Sequence, residues 1–168
     1  MGFKIPSVVS IAGSDSSGGA GIQADLKTIE ALGLFAQTAI TALTAQNTLG
    51  VSGVLDVPSE FVVEQIDAVF DDIRPSAVKI GMVSSASNVV AIAESLRAHA
   101  AENIVVDPVM VSTSGSRLIS DGASEALTGR LFPLASVITP NIPEAEVLWG
   151  RDIATKRDME AAAGELSE

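Results

Sequence analysis

A glycine-rich stretch near the N-terminus is the first candidate for chemistry. Residues 13–21 read Gly-Ser-Asp-Ser-Ser-Gly-Gly-Ala-Gly and lie between an apolar run and a helical pattern. Glycines let a backbone approach a ligand closely, and a helix that begins there offers free N–H groups to an anion. The stretch lacks the Lys-Ser or Lys-Thr of a P-loop. A flexible turn is the alternative interpretation.

Polar residues that follow apolar runs are the next candidates. Asp107 comes directly after such a run and precedes Pro108. A carboxylate there could bind Mg²⁺ or lie beside a transferring phosphoryl group, although an ordinary turn Asp fits as well. Asn141 and Glu144 have the spacing of a capping box, and their oxygens could instead hold metal-bound water or phosphate. The Gln46 amide can donate and accept, which suits a heteroaromatic edge or a solvated loop.

Alternating strands and helices must position these residues. Short apolar runs predict strands at 8–12, 35–45, 51–57, 77–80, 104–106 and 137–139. Helical periodicity predicts helices at 20–32, 58–70, 87–99, 121–131, 143–149 and 155–166. Continuously apolar strands separated by helices predict an α/β fold with a mostly parallel sheet and helices on both faces. Ligands bind beyond the carboxyl ends of such strands, which is where the polar candidates collect.

Composition narrows the classes of function. The 168 residues suit a single domain, and the 47% apolar content excludes a disordered chain. A net charge of −11 argues against nucleic acid as a partner. With no Cys and one His, the chain has no disulfide and no histidine-rich metal site. No signal peptide pattern and no membrane-spanning apolar run are visible, so we expect a cytoplasmic protein without a membrane partner.

Five motifs in order resemble the bacterial hydroxymethylpyrimidine/phosphomethylpyrimidine kinases of the ribokinase superfamily. They are the glycine-rich run at 11–25, ITALTAQNT at 40–48, VKIGM at 78–82, VDPVM at 106–110 and TPNIPEA at 139–145. The match extends from about Ser7 to Gly150, and five ordered motifs are far more specific than one loop. The resemblance implies a ribokinase-like α/β fold for a single domain over residues 1–168, with the C-terminal part of that fold missing.

The resemblance also implies roles for individual residues. The pyrimidine pocket would be formed by Gly13, Ala20, Gln46, Met82 and Val109. Asp107 would lie at the phosphoryl group as a catalytic and metal-binding residue. Asn141 and Glu144 would organise Mg²⁺ and phosphate, with Glu144 as a second metal ligand. The implied reaction transfers the γ-phosphoryl group of ATP to 4-amino-5-hydroxymethyl-2-methylpyrimidine, and then to its monophosphate, in thiamine biosynthesis.

This sequence departs from the family pattern in one respect. The family continues to a Gly-Thr-Gly-Cys segment whose Cys is taken as the catalytic base, and this chain contains no Cys. We therefore expect an N-terminal portion of such a kinase, inactive alone, with an exposed apolar edge that favours a homodimer. The alternatives are a non-catalytic pyrimidine-binding or assembly fragment, a pyridoxal-type kinase, and a nucleotide-dependent dehydrogenase suggested by the loose fingerprint Gly19-x-Gly21-x-x-Ala24.

Overall fold

Parallel strands form the centre of the molecule. The computed structural model describes residues 5–110 and 121–167. The strands in these ranges are β1 (Ser7–Ala12), β2 (Phe35–Ile40), β3 (Ala42–Asn47), β4 (Gly50–Asp56), β5 (Ala77–Ile80), β6 (Ile104–Val106) and β7 (Val137–Ile138). Five of them form one parallel sheet in the order β2-β1-β5-β6-β7. The other two, β3 and β4, form a separate antiparallel hairpin.

Helices connect the strands. They are α1 (Gly21–Ala31), α2 (Ser59–Asp72), α3 (Ala86–Ala98), α4 (Asp121–Ala126), α5 (Ile142–Trp149) and α6 (Lys156–Leu166). Caps fix several of their first turns, because the Ser85 side chain accepts from Asn88 N at α3 and Thr155 forms a capping box at α6. The predicted helix over 121–131 ends early, since its last five residues form a π-helical turn. Within the described ranges, no helix combines the length and apolarity needed to cross a membrane.

The core lies between the sheet and the helices α2 and α3. Val9 and Ile11 of β1 pack in one fully buried cluster with Val62 of α2 and Ile92 of α3. Burying each such side chain stabilises the fold by about 1.5–3 kcal/mol. The helix α1 covers the opposite face, where Ser10 of β1 donates to Asp25 of α1. The prediction of a mostly parallel sheet with helices on both faces is therefore confirmed.

The hairpin corrects one sequence-based prediction. Residues 35–45 do not form a single buried strand, because β2 ends at Ile40 and β3 starts a different sheet. Thr41 makes the break: its N–H donates to Ala12 O at 3.0 Å and its hydroxyl donates to Met82 O at 2.7 Å. The predicted strand at 51–57 exists as β4, but it lies largely exposed in the hairpin. An apolar run carries no signal for the point at which a chain leaves a sheet.

Candidate active site

A cavity of about 320 Å³ opens at the carboxyl ends of β1, β5 and β6, with the hairpin as one wall. The substrate-binding residues predicted from the sequence all line it: Gly13, Ala20, Gln46, Met82 and Val109. Asp107, the predicted catalytic residue, lines it as well. The structure thus brings together six residues that are far apart in the chain, while their individual roles stay predictions.

The glycine-rich loop is organised around the carboxylate of Asp15, which is 2% exposed. That carboxylate accepts from Ser17 N at 2.8 Å, Gly19 N at 2.9 Å and Ala20 N at 2.8 Å, and from the Ser17 hydroxyl. Burial raises the pKa of Asp15, but the hydrogen bonds from Ser17, Ala20 and Gly19 outweigh it and hold the pKa below its ordinary value. The loop is therefore held by its own internal anion.

This arrangement corrects the expectation that the loop offers its N–H groups to an anionic ligand. Those of Ser17, Gly19 and Ala20 are already bonded to Asp15. The same occupancy weakens the dinucleotide fingerprint, because these three donors are not available to a pyrophosphate. The sequence signal was a single Asp inside the glycine run.

Gly21 closes the loop onto the start of α1. It has a φ of 56°, and a Cβ at this position would overlap the carbonyl oxygen of Gly13. Ile22 N donates to that same oxygen at 3.1 Å. A side chain at residue 21 would therefore push Gly13 out of the pocket wall.

The hairpin is attached to the loop by hydrogen bonds that place Gln46. The Ser16 hydroxyl donates to Gln46 O at 2.7 Å and accepts from Gln46 N at 2.8 Å. The Thr44 hydroxyl donates to Ser14 O at 2.7 Å and lies 3.3 Å from Gln46 Oε1. Gln46 therefore reaches the cavity from the hairpin, and not from the end of a strand of the parallel sheet as the sequence suggested.

A charged cluster that sequence reasoning missed lies at the other end of the cavity. Lys79 Nζ is 3.0 Å from Asp25 Oδ2 and 3.9 Å from Asp107 Oδ2. The Ser10 hydroxyl donates to the same Asp25 oxygen at 2.6 Å. Burial raises the pKa of Asp107, Lys79 opposes that shift, and Asp25 adds to it. The available signal was a lysine inside the otherwise apolar strand β5.

Asn141 and Glu144 form the capping box that their spacing indicated. Asn141 Oδ1 accepts from Glu144 N, and Glu144 Oε2 accepts from Asn141 N, both at 3.0 Å. Glu144 is buried, and its Oε1 accepts from Met110 N at 3.2 Å. Neither residue is among those that line the cavity. The capping interpretation is confirmed, and metal or phosphate binding by this pair stays a prediction.

The carboxylates at the charged end fit a magnesium site whose remaining ligands come from the substrate phosphates and water. In residues 5–110 and 121–167, no three Asp, Glu or His side chains converge as a complete protein-derived metal site. Mg²⁺ is usually held by one or two carboxylates together with substrate phosphates and water. Asp107 suits that arrangement because its side chain is 37% exposed and faces the cavity.

A second cleft, of about 370 Å³, lies along β7 and α6. The described residues that line it, among them Phe132, Val137 and Leu166, carry no ionisable side chain. Acid–base or phosphoryl chemistry needs such groups. The cavity with Asp107 is therefore the candidate active site.

Comparisons with known proteins show that this chain is similar to phosphomethylpyrimidine kinases and to a protein of thiamine biosynthesis. A family model described as phosphomethylpyrimidine kinase matches residues 15–168. A thiamine biosynthesis bifunctional protein of Geobacter sulfurreducens is 55% identical over 98% of this chain and 34% of its own length. The crystal structure of a phosphomethylpyrimidine kinase from Clostridium difficile superimposes with a TM-score of 0.90 at 52% identity, over 97% of this chain and 70% of that one.

A pyridoxal kinase from Staphylococcus aureus, solved in complex with pyridoxal, is also similar. Its TM-score is 0.86 at 34% identity, over 97% of this chain and 59% of that chain. These neighbours confirm the ribokinase-like fold that the motifs implied. The chain spans between 53% and 61% of the length of six curated hydroxymethylpyrimidine/phosphomethylpyrimidine kinases that it resembles.

Proposed function

Because the chain belongs to the phosphomethylpyrimidine kinase family, we propose that it binds 4-amino-5-hydroxymethyl-2-methylpyrimidine and its monophosphate. The reaction that this binding serves is the transfer of the γ-phosphoryl group of ATP to these compounds in thiamine biosynthesis, and we expect it to need the Cys-bearing segment of the family pattern as well. The observation that carries the proposal is the convergence of Gly13, Gln46, Met82, Val109 and Asp107 on one cavity. An aminopyrimidine ring fits such a site, since the wall offers a backbone loop, an amide and apolar side chains.

Gln46 recognises the edge of the ring by hydrogen bonding. Its amide can donate to one ring nitrogen or accept from an exocyclic amine, and its backbone is fixed at both polar atoms by Ser16. Met82 supports the opposite wall, because its carbonyl oxygen accepts from Gly13 N at 3.2 Å and from the Thr41 hydroxyl at 2.7 Å. The ring therefore lies between elements that are bonded to one another.

Asp107 is the residue of this chain that would hold Mg²⁺. The ion would neutralise charge on the transferring phosphoryl group, which is the main task of catalysis in phosphoryl transfer. Asp107 is held in place through its backbone, since Asp107 N donates to Ile80 O at 2.8 Å and Val109 N donates to Asp107 O at 2.9 Å. Its carboxylate is not needed to hold the residue in place and can bind an ion in the cavity.

Calorimetric titration of the pyrimidine alcohol tests the proposal. Gln46→Ala should weaken its binding by about 1–3 kcal/mol, or about 5- to 150-fold, because a polar partner of the bound ring is lost. Gln37→Ala makes the same chemical change on β2, where the amide donates to Ile73 O away from the cavity. It should leave the affinity unchanged. Equal affinities for wild type and Gln46→Ala would remove the assigned role of Gln46.

The pyridoxal-type alternative rests on the similarity to the Staphylococcus aureus enzyme. Both ligands are substituted heteroaromatic alcohols, so pocket shape decides between them. A competition titration separates the two functions. Displacement of bound pyrimidine by equimolar pyridoxal would favour the alternative, and failure to displace it supports the pyrimidine.

We expect these 168 residues to bind the pyrimidine without turning it over. The resemblance to the family implies a Cys as the base that takes the proton of the substrate hydroxyl, and this sequence contains no Cys. A coupled assay with ATP, Mg²⁺ and the pyrimidine measures this directly. Turnover at the rate of a family member would show that the Cys is dispensable.

We also propose that the protein forms a homodimer through its hairpin. The hairpin exposes four apolar side chains: Leu43, Leu49, Val54 and Leu55. Leu43 and Leu55 are cross-strand partners on one face of the hairpin, and such an exposed apolar pair favours self-complementary pairing about a two-fold axis. Sedimentation should show a dimer that Leu55→Glu dissociates. Leu32→Glu, at a leucine that is 72% exposed on α1's C-terminal side, is the matched control and should leave the dimer intact.

A further inference from the structure

We infer that Lys79 distinguishes the phosphorylated pyrimidine from the free alcohol. It does so by supplying the positive charge that the phosphate group needs. The inference rests on the proposed function, because it assumes that both compounds enter the cavity. It concerns a residue to which the family resemblance assigned no role above.

Lys79 reaches the cavity along the surface of β5. Its side chain passes over Gly81, the residue that follows the last residue of that strand. A Cβ on Gly81 would lie 2.8 Å from Lys79 Nζ and 3.0 Å from Ala12 Cβ. The absence of a side chain at residue 81 therefore lets the ammonium group extend to the carboxyl end of the sheet.

The charges around the cavity explain why this ammonium group matters. Three carboxylates line the cavity, from Asp15, Asp25 and Asp107. Asp15 is hydrogen-bonded within its own loop and Asp25 is bonded to Ser10 and Lys79, but all three carboxylates carry negative charge and repel an entering anion. Among the described residues that line the cavity, Lys79 is the one cation.

Lys79 keeps hydrogen-bonding capacity for a ligand. An ammonium group has three donors. Asp25 takes one at 3.0 Å, while Asp107 lies at 3.9 Å, beyond hydrogen-bond distance. The side chain is 26% exposed, so a phosphate oxygen can approach it from the cavity. Asp25 anchors the amine on one side, which presents the remaining donors to the ligand.

The two ligands differ in how much they need this cation. The pyrimidine alcohol is neutral and makes its polar contacts with groups such as Gln46. The monophosphate carries a charge of about −1.5 to −2 at neutral pH, as phosphate esters do. It enters a cavity whose protein has a net charge of −11, so one directed charge-assisted hydrogen bond contributes strongly.

Calorimetry with both ligands, without divalent cations, tests the inference. Lys79→Met keeps the length and apolar stem of the side chain. It should weaken binding of the monophosphate by about 10–100-fold and binding of the alcohol by less than about threefold. Lys79→Arg should restore most of the monophosphate affinity. Lys156→Met makes the same net charge change at a lysine that is 89% exposed on α6, and should affect neither ligand.

The alcohol serves as the internal control for folding, because a variant that binds it has an intact pocket. Salt gives a second measurement on the wild type alone. Monophosphate affinity should fall as salt is raised from 50 to 500 mM, because this change shortens the Debye length roughly threefold. The affinity for the alcohol should stay constant. Equal weakening of both ligands by Lys79→Met, or a monophosphate affinity insensitive to both salt and Lys79, would overturn the inference. Wild-type protein that binds neither ligand would overturn the proposed function, and the assignment of Lys79 with it.

Discussion

The parallel sheet and the β3–β4 hairpin build the same cavity in different ways. The sheet supplies the charged end, with Lys79 on β5 and Asp107 just after β6. Its strands are packed between helices, and Ile11 and Ile80 are fully buried. The hairpin supplies Gln46 and is mostly exposed, with Leu55 at 67%. The end of the cavity to which we assign the chemistry thus lies on the buried core, and the end to which we assign recognition lies on the exposed hairpin.

Attachment of the hairpin depends on a few polar contacts. Val57 N donates to Thr41 O at 3.0 Å, which closes the base of the arm. Asn88 of α3, which is 1% exposed, points its Nδ2 at Val57 O at 3.1 Å and at Thr41 O at 3.5 Å. One buried amide therefore contacts both ends of the hairpin.

The largest expected difference between the two regions is in the free energy of unfolding. Ile11→Ala, in the sheet, should lower it by about 2–5 kcal/mol, because a buried cavity is left behind. Leu55→Ala, on the hairpin, should change it by less than about 0.5 kcal/mol, since that side chain is already exposed to solvent. Urea denaturation at a protein concentration below dimer formation measures both. Similar losses would mean that the hairpin belongs to the cooperative core.

The same contrast explains what sequence could predict about the fold. The strands of the parallel sheet are short apolar runs between helical repeats, and this local pattern predicts β1, β5 and β6 almost to the residue. The break at Thr41 has no such signal, because residues on both sides are apolar or β-branched. Only the tertiary bonds of Thr41 to Ala12 and Met82 show where the chain leaves the sheet.

The site shows a similar division. Asp107 could be singled out because a carboxylate directly after a buried strand lies where ligands bind. Lys79 stands out as a lysine in an apolar strand, but its pairing with Asp25 could not be predicted, because it joins a strand to a helix 54 residues away in the chain. The role of Asp15 could not be predicted either, since the sequence shows an Asp inside the glycine run but does not show that its carboxylate binds the N–H groups of the loop.

A second prediction concerns the amide that joins the two regions. Asn88→Asp keeps the shape of the side chain but places carboxylate oxygens against two carbonyl oxygens. It should cost about 1–3 kcal/mol, and it should also weaken pyrimidine binding through Gln46. Hydrogen exchange should rise across residues 42–56 while the amides of β1 and β5 stay protected.

Ser95→Ala is the matched control for Asn88→Asp. Ser95 is a buried polar residue of the same helix, and it contacts Asp67 instead of the hairpin. Its loss should leave exchange in residues 42–56 at the wild-type level. If Ser95→Ala loosened the hairpin as much as Asn88→Asp does, a general weakening of α3 would explain both variants.

The smallest expected effect is a pH dependence of the free energy of unfolding that arises in the glycine-rich loop, which is hydrogen-bonded to the hairpin. The hydrogen bonds to Asp15 hold its pKa below the ordinary 3.8, so the carboxylate stabilises the folded state fully above that value. This stabilisation is lost as pH falls through the folded pKa. Asp107, whose pKa is raised by burial, works in the opposite direction and partly masks the loss in the wild type.

Subtracting Asp15→Asn isolates the contribution of Asp15, because Asp107 titrates in both proteins. The difference in unfolding free energy between wild type and Asp15→Asn should be constant above about pH 5, where Asp15 is ionised in both folded and unfolded states. It should shrink as the pH falls below 3.8. Only part of the hydrogen-bond energy is involved, since a protonated Asp15 still accepts through one oxygen. A difference that stays constant down to pH 2 would show that the loop is held by its backbone turns and not by the Asp15 charge.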